Sequence, residues 1–267
     1  MMPGAFNALS ARMIEREGFD AMYVSGAVLA NSVGGLPDVG LMTVSESRDH
    51  VAHIAAATTI PILVDADTGY GGPENAARTV RTLESAGASG LHLEDQEFPK
   101  RCGHLPGKKL VSLHEFTEKI AAAVAAKSSR GFLVLARTDA RGVTGYDDAV
   151  ARAHEYLKAG ADGIFPEALE SQEEFVRFAR DVPTLLLANM TEFGKTPYLT
   201  ADEFAGMGYQ LVIFPVTLQR LALKAVQEGL RGLKQTRTQK DLVGKMQTRE
   251  ELYDLLGYRM QTPDDRR

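Results

Sequence analysis

The 267 residues contain one cysteine, in the run Lys100-Arg101-Cys102-Gly103-His104. A lone thiol forms no intrachain disulfide, so its use is packing or reactivity. Structural cysteines usually lie among apolar neighbours, whereas this one is flanked by two cations and an imidazole. Gly103, Pro106 and Gly107 place it on a loop rather than a helix. A nucleophilic thiol would need a base paired with it, and no such triad is evident. A thiol with a pKa near ~8.5 is mostly protonated at neutral pH, which suits proton donation. Lys100, Arg101 and His104 would lower that value and nearby carboxylates would restore it, a balance the sequence leaves open. We take Cys102 as a general acid, with Lys100 and His104 as its catalytic neighbours.

A second chemical element is Asp65-Ala66-Asp67, two carboxylates where an apolar segment ends. In isolation such a pair more often makes an Asx turn or caps a helix. Asp38, Glu94 and Glu167 stand at corresponding breaks elsewhere, and carboxylates gathered around one mouth repel unless a cation sits among them. Hard oxygen donors suit Mg²⁺ or Mn²⁺, whereas no Cys/His cluster has zinc spacing. Arginine grips a carboxylate bidentately, and Arg137 sits where another apolar segment meets polar residues. Read alone, Arg220 and Arg249 are ordinary surface cations, and Asn189-Met190-Thr191 is a turn. With backbone groups of Ser25-Gly26-Ala27 and Cys102-Gly103, Asn189 and Thr191 could complete an anion cradle. His92 reads as a satisfied core histidine, and His50, His53, His114 and His154 as surface residues of helices.

These side chains need a scaffold that brings distant segments to one place. Glu17–Val24, Ala86–Leu93, Ala159–Phe165 and, less closely, Met207–Phe214 share one plan: a helix ends near a glycine, then a short apolar strand begins. Further apolar strands are readable at Pro61–Val64, Phe132–Leu135 and Thr184–Leu187, with one more cut short at Pro3–Phe6. Amphipathic stretches lie between them, at Pro73–Ser85, Leu113–Lys127, Asp147–Lys158 and Ser171–Arg180. Alternating helices and apolar strands imply a parallel sheet covered on both faces. The strands run into Ser25, Asp65, Glu94, Arg137, Glu167, Asn189 and Thr217, so polar ends recur along the whole chain rather than at one switch point. That pattern favours a (β/α)₈ TIM-type barrel with its site at the C-terminal strand ends over an open doubly wound sheet. We expect the barrel to occupy residues 1–229 and a C-terminal helical extension residues 230–267, with an amphipathic helix near Arg249–Leu256.

Composition adds bounds rather than a function. A hydrophobic fraction of 44%, a charged fraction of 24% and a net charge of −5 are ordinary for a soluble globular protein. They give no reason to expect nucleic acid or an anionic membrane as partner. No apolar run approaches membrane-spanning length, and Met1–Phe6 lacks the features of a secretory signal. With a single cysteine, the cytoplasm is the expected compartment.

Glu94-Asp95-Gln96 followed by Pro99-Lys100-Arg101-Cys102-Gly103-His104 resembles the isocitrate lyase and phosphoenolpyruvate mutase superfamily, and more narrowly its short bacterial 2-methylisocitrate lyases. Tyr23-Val24-Ser25-Gly26, Leu36-Pro37-Asp38, Asp65–Gly69, Ala136–Ala140, Phe165–Ala168, Ala188–Gly194 and Met246–Tyr253 extend the match over nearly the whole chain in one order. The resemblance implies a Mg²⁺-dependent retro-aldol cleavage of 2-methylisocitrate to pyruvate and succinate, within propionate catabolism by the methylcitrate cycle. It further implies that Asp65 and Asp67 hold the metal with Asp38 and Glu94 behind them. Substrate carboxylates would fall to Arg137, Arg220 and Arg249, with Glu167, Asn189 and Thr191 completing the pocket. Tyr23 is a candidate base or partner of a metal-bound water. Phe165 and Ile213, where isocitrate lyases carry bulkier or polar residues, would receive the extra methyl. The family also pairs subunits by exchanging the C-terminal region, which implies a homotetramer built as a dimer of swapped dimers. Ala27, where a second glycine is usual, departs from the pattern. Rival enzymes are lyases for 2,3-dimethylmalate or isocitrate, an oxaloacetate decarboxylase and a phosphonate-forming mutase. The thiol argues against the mutase. A rival of another class is a non-catalytic carboxylate-binding or assembly protein.

Overall fold

The apolar runs become strands and the amphipathic stretches become helices in the computed structural model, which describes residues 1–258. The strands are β1 (Met2–Pro3), β2 (Met22–Val24), β3 (Ile62–Asp65), β4 (Gly90–Glu94), β5 (Leu133–Thr138), β6 (Gly163–Pro166), β7 (Leu185–Asn189) and β8 (Leu211–Phe214). The helices are α1 (Ala8–Arg16), α2 (Gly26–Leu29), α3 (Val44–Ala55), α4 (Pro73–Ser85), α5 (Leu113–Ala125), α6 (Tyr146–Lys158), α7 (Gln172–Asp181), α8 (Ala201–Gly206), α9 (Thr217–Thr236) and α10 (Arg249–Leu255).

Each strand from β2 to β7 pairs in parallel with its successor, and β1 pairs with β8 through Met2↔Ile213 and Pro3↔Phe214. The first strand therefore lies slightly earlier than the expected Pro3–Phe6. It still closes the ring, because Ala5 N–H donates to the Tyr23 carbonyl at 2.9 Å and Gly4 bridges to Tyr23. Gly4 must be glycine, since a Cβ there would lie 2.0 Å from the Pro215 carbonyl oxygen. The result is a (β/α)₈ barrel whose parallel strands are joined by crossovers through its helices.

Alternation along the strands separates two cores. Met2, Tyr23, Leu63, Leu135, Phe165, Leu187 and Ile213 fill the barrel interior. A larger set, including Val64, Leu91, Val134, Ile164 and Leu186, points outward against Ile54, Val80, Ile120, Tyr156 and Phe178 of the helices. Helix α3 buries Ser47, His50, Val51 and Ile54, which corrects the surface reading of His50: the imidazole lies at the i+3 position of an inward stripe.

Helix α9 is different in kind. It runs unbroken for 20 residues, so the expected boundary at 229/230 falls inside a helix. Leu221, Leu223, Val226 and Leu230 on it are more than half exposed. Helix α10 returns to α1, with Leu255 buried and Arg16 paired with Asp254 at 2.6 Å. Residues 259–267 of the expected extension lie outside the described residues. Among the described residues, no helix is long and apolar enough to cross a membrane.

Candidate active site

Strand register brings the chemical residues to one end of the barrel. Asp65 lies beside His92, Glu94 beside Arg137, and Arg137 beside Phe165 on neighbouring strands. A cavity of about 110 Å³ is lined there by Tyr23, Ser25, Ala27, Asp38, Asp65, Lys100, Cys102, Gly103, His104, Arg137, Phe165, Glu167, Asn189, Thr191, Ile213 and Arg220. A second cavity, of about 620 Å³, lies alongside and shares Lys100, with Asp67 and Tyr70 on its wall. The sequence thus located nearly the entire lining. Of the remaining predicted residues, Asp67 lines the second cavity, Gly26 and Glu94 lie against Asp65 and Arg137 behind the walls, and Arg249 is exposed at the start of α10, away from both cavities of its own chain.

The carboxylate pair is built by a tight turn after β3. Asp67 adopts a left-handed backbone, φ +46°, which aspartate tolerates better than most residues. Its N–H donates to Asp65 Oδ1 at 3.0 Å, and Gly26 N–H donates to Asp65 Oδ2 at 3.0 Å. A Cβ on Gly26 would sit 3.0 Å from Asp65 Oδ2 and 3.2 Å from Asp67 Oδ1, so both carboxylates border the space a glycine leaves open. Lys100, almost fully buried, pairs with Asp38 and stands 2.9 Å from Asp67 Oδ1. Burial opposes its charge, but Asp67, Glu94, Asp65 and Asp38 together hold the ammonium protonated.

Positive charge is nonetheless short here. Burial, against the pull of Lys100, pushes Asp67 up to about 6, and burial also raises Glu94. Despite the nearby ammonium, Asp67 Oδ1 has no donor aligned on it, and neither Glu94 oxygen has one although Arg137 Nη1 lies 3.1 Å away. Orphaned hard oxygens beside a cradle open at Gly26 fit a divalent cation. Among the described residues no three His, Cys, Asp or Glu side chains form a metal-binding cluster. Mg²⁺ takes only one or two carboxylates and completes its shell with water and substrate oxygens, so Asp65 and Asp67 would suffice to hold it.

Arg137 is the electrostatic centre of the opposite wall. It reaches Glu94 at 3.1 Å, Asp139 through Nε at 3.0 Å and Nη2 at 3.1 Å, and Glu167 at 3.5 Å. Its guanidinium carbon also lies 5.2 Å from the Phe165 ring centroid. Burial disfavours the Glu167 carboxylate, yet Arg137, His104 and Lys108 hold it well below the usual carboxylate range. Asn189 Nδ2 stands 3.3 Å from the same carboxylate. Arg220 is half-exposed, 3.5 Å from Glu192 and over the Phe193 ring.

The thiol loop folds down onto this wall. His104 Nε2 stands 2.8 Å from Glu167 Oε1, while His104 Nδ1 accepts the Lys195 N–H at 3.1 Å. An accepting Nδ1 puts the ring proton on Nε2, facing the carboxylate. Gly103 packs so closely that a Cβ would come within 2.4 Å of Arg137 Nη2 and of Glu167 Cγ, so only glycine permits the closure. The balance that the sequence left open at Cys102 falls on one side: burial, the largest influence, pushes the thiol up. The thiol therefore holds its proton at neutral pH.

Tyr23 OH lies 2.7 Å from His92 Nε2. Burial depresses His92 to about 4 and raises the Tyr23 phenol well above its ordinary value, so the pair is neutral. A phenol held protonated this way is a poor base and a good hydrogen-bond donor. His92 is buried as the sequence suggested, but it touches the site rather than merely filling the core.

Sequence reading passed over Lys108, Asp139, Asp95 and Gln96. Asp139 N–H and Thr138 Oγ1 donate to Asp95, which also receives Tyr156 OH, all at 2.8 Å. Gln96 grips the Arg101 backbone with two bonds of 2.9 Å. Asp95, Gln96 and Asp139 lie inside runs that carry the family resemblance but no role was read for them, and Lys108 was marked only by its place at the end of the thiol loop.

The phosphoenolpyruvate phosphomutase family matches residues 1–234 of the chain. A 2-methylisocitrate lyase of Aeropyrum pernix is 53% identical, the match covering 96% of this chain and 82% of that protein. A 2-methylisocitrate lyase of Bacillus subtilis is 48% identical, with 96% and 84% covered. Among solved structures, 2,3-dimethylmalate lyase, a member of the PEP mutase/isocitrate lyase superfamily, superposes with a TM-score of 0.91 at 38% identity, covering 96% of this chain and 86% of that one.

Proposed function

The chain belongs to the PEP mutase/isocitrate lyase superfamily and is a carbon–carbon lyase, and from that premise we propose that it cleaves 2-methylisocitrate to pyruvate and succinate with Cys102 as the general acid. The observation that carries this reading is the half-buried, proton-holding thiol on a loop closed over Arg137 and Glu167, opposite a carboxylate pair short of positive charge.

A divalent cation, Mg²⁺ or Mn²⁺, held at Asp65 and Asp67 with Asp38 and Glu94 behind them, would supply Lewis-acid polarisation of the substrate's 2-hydroxyl and adjacent carboxylate. Tyr23, kept protonated beside His92, orients water or the hydroxyl by donating to it. As the hydroxyl loses its proton, the C2–C3 bond breaks and its electron pair passes to C3. C2 becomes the carbonyl of pyruvate. Arg137, with Asn189, Thr191 and Arg220 at the mouth, stabilises the negative charge gathering on the dicarboxylate half. Cys102 delivers its proton to C3, giving succinate, and the proton lost from the hydroxyl restores the thiol through solvent. Closure of Gly103 over the mouth keeps water from competing for the carbanion.

Phe165 and Ile213 form the apolar wall that would take the methyl of 2-methylisocitrate. One methyl discriminates by only about 1–3 kcal/mol, so some cleavage of isocitrate is expected. The exposed apolar face of α9 supports exchange of this helix between subunits, giving a homotetramer of swapped dimers. A role in propionate breakdown in the cytoplasm follows from the substrate. The nearest alternative, cleavage of 2,3-dimethylmalate, uses the same thiol and carboxylates.

The test is Mg²⁺-dependent pyruvate release from 2-methylisocitrate, beside glyoxylate release from isocitrate and turnover of 2,3-dimethylmalate. Preference for 2-methylisocitrate supports the assignment. Preference for 2,3-dimethylmalate replaces the substrate, and silence on all three removes the lyase reading.

A further inference from the structure

Lys108 takes no part in the mechanism above, yet its side chain is only 3% exposed. Lysine is almost never buried this deeply without a specific partner. Its ammonium has two. It donates to the Gly103 carbonyl, inside the thiol loop, and to Asp139 Oδ1 at 2.7 Å, on the barrel. The space around it is tight, since a Cβ on Gly142 would come 3.3 Å from Nζ.

The two ends of this contact differ in rigidity. Asp139 is held by Arg137 through two hydrogen bonds and by its own N–H to the fully buried Asp95, which Tyr156 and Thr138 fix in turn. Gly103 sits in a loop whose other anchors are the Gln96 clamp on Arg101 at its N-terminal end and the His104 ring, which faces Glu167 and accepts the Lys195 N–H. The clamp holds only Arg101, whereas a swing of residues 102–107 must break the Lys108–Gly103 bond and the His104 contacts, and of these only the Lys108 bond holds the backbone next to Cys102. The same Asp139 carboxylate therefore fixes the Arg137 guanidinium on one oxygen pair and, through one ammonium, the carbonyl next to Cys102.

We propose that Lys108 is a positioning residue: its ammonium latches the Gly103 carbonyl to Asp139 and so holds the Cys102 thiol at a set distance from Arg137 across the mouth. This deepens the lyase reading and rests on it only for its kinetic consequences. A lysine that merely neutralised buried Asp139 would matter to stability and leave the loop where it is.

The experiment is Lys108→Met, which keeps the side chain's length and removes the ammonium. Alkylation of Cys102 by iodoacetamide is followed in the free enzyme, and kcat and KM are measured for pyruvate release. A hydrogen bond to a charged group lost from the closed state should raise the alkylation rate about 10- to 100-fold and lower kcat by a similar factor, with KM changing less than about threefold. Alkylation within about twofold of wild type would overturn the latch, whatever the kinetics. If Lys108→Met melts well below the wild type, Lys108→Gln carries the same expectations. Because alkylation needs no substrate, faster labelling in a chain that releases no pyruvate would sustain the latch while the lyase reading fell.

Discussion

Replacing Arg137 with glutamine should destabilise the chain by an amount that depends on pH. The guanidinium lies against Glu94, Asp139 and Glu167, whose side chains are at most 1% exposed. Breaking a buried ion pair by removing one partner costs about 3–5 kcal/mol, because the remaining charge stays desolvated. An unfolding entropy near ~2.1 cal/mol/K per residue gives roughly 0.56 kcal/mol/K for a chain of this length, so Tm should fall by about 5–9 °C. The sign with pH follows from the carboxylates. In the wild type Glu167 is held below its unfolded value, so its stabilisation is fully present above that value and is lost only in strong acid. In the variant the strongest opposing cation is gone, leaving only His104 and Lys108 beside Glu167 and Lys100 near Glu94, so burial raises both carboxyls; stability is then retained at low pH and lost as pH rises through their folded values. Calorimetry of both proteins at pH 5.5 and pH 8 reads the difference, which should be larger at pH 8. A drop below about 2 °C, or one equal at both pH values, would refute the claim that Arg137 neutralises this cluster.

Activity should fall at least ~100-fold in EDTA and return with Mg²⁺, as expected where a Lewis acid contributes several kcal/mol; unchanged turnover in the chelator would contradict the role given to Asp65 and Asp67. The pH profile of Cys102 alkylation should inflect above the ordinary thiol value of about 8.5, because burial raises the group and thiolate appears only at higher pH. An inflection below 8 would mean that the flanking cations dominate. Val226→Asp with Leu230→Asp should convert the assembly to smaller species in sedimentation velocity while leaving the barrel's circular dichroism intact, since these side chains lie exposed on α9.

The barrel was legible because its rhythm is local. A glycine such as Gly87 or Gly160, left-handed after a helix, is followed at once by an apolar strand, and the polar residue ending that strand is fixed by the same register. Strand-end chemistry at Asp65, Glu94, Arg137 and Glu167 could therefore be read without coordinates. What escaped was long-range. Lys108 reaches Asp139 across 31 residues, and Tyr156 reaches Asp95 across 61, with no periodic signal to mark either. Nor could the flanking cations predict the state of Cys102: Lys100 turns away to Asp38 and Asp67, leaving burial to set the thiol. Arg249 stands apart from the site within its own chain, since the path of the chain after α9 is not encoded in a motif.

The decisive comparison is wild type against Cys102→Ser in Mg²⁺-dependent pyruvate release from 2-methylisocitrate, with succinate binding measured on both. A serine hydroxyl occupies the same place but is a far weaker acid. General acid catalysis contributes about 10²- to 10⁴-fold, so turnover should fall within that range while succinate affinity stays within a few-fold. Turnover by Cys102→Ser equal to wild type would contradict the assignment of the thiol as the proton donor.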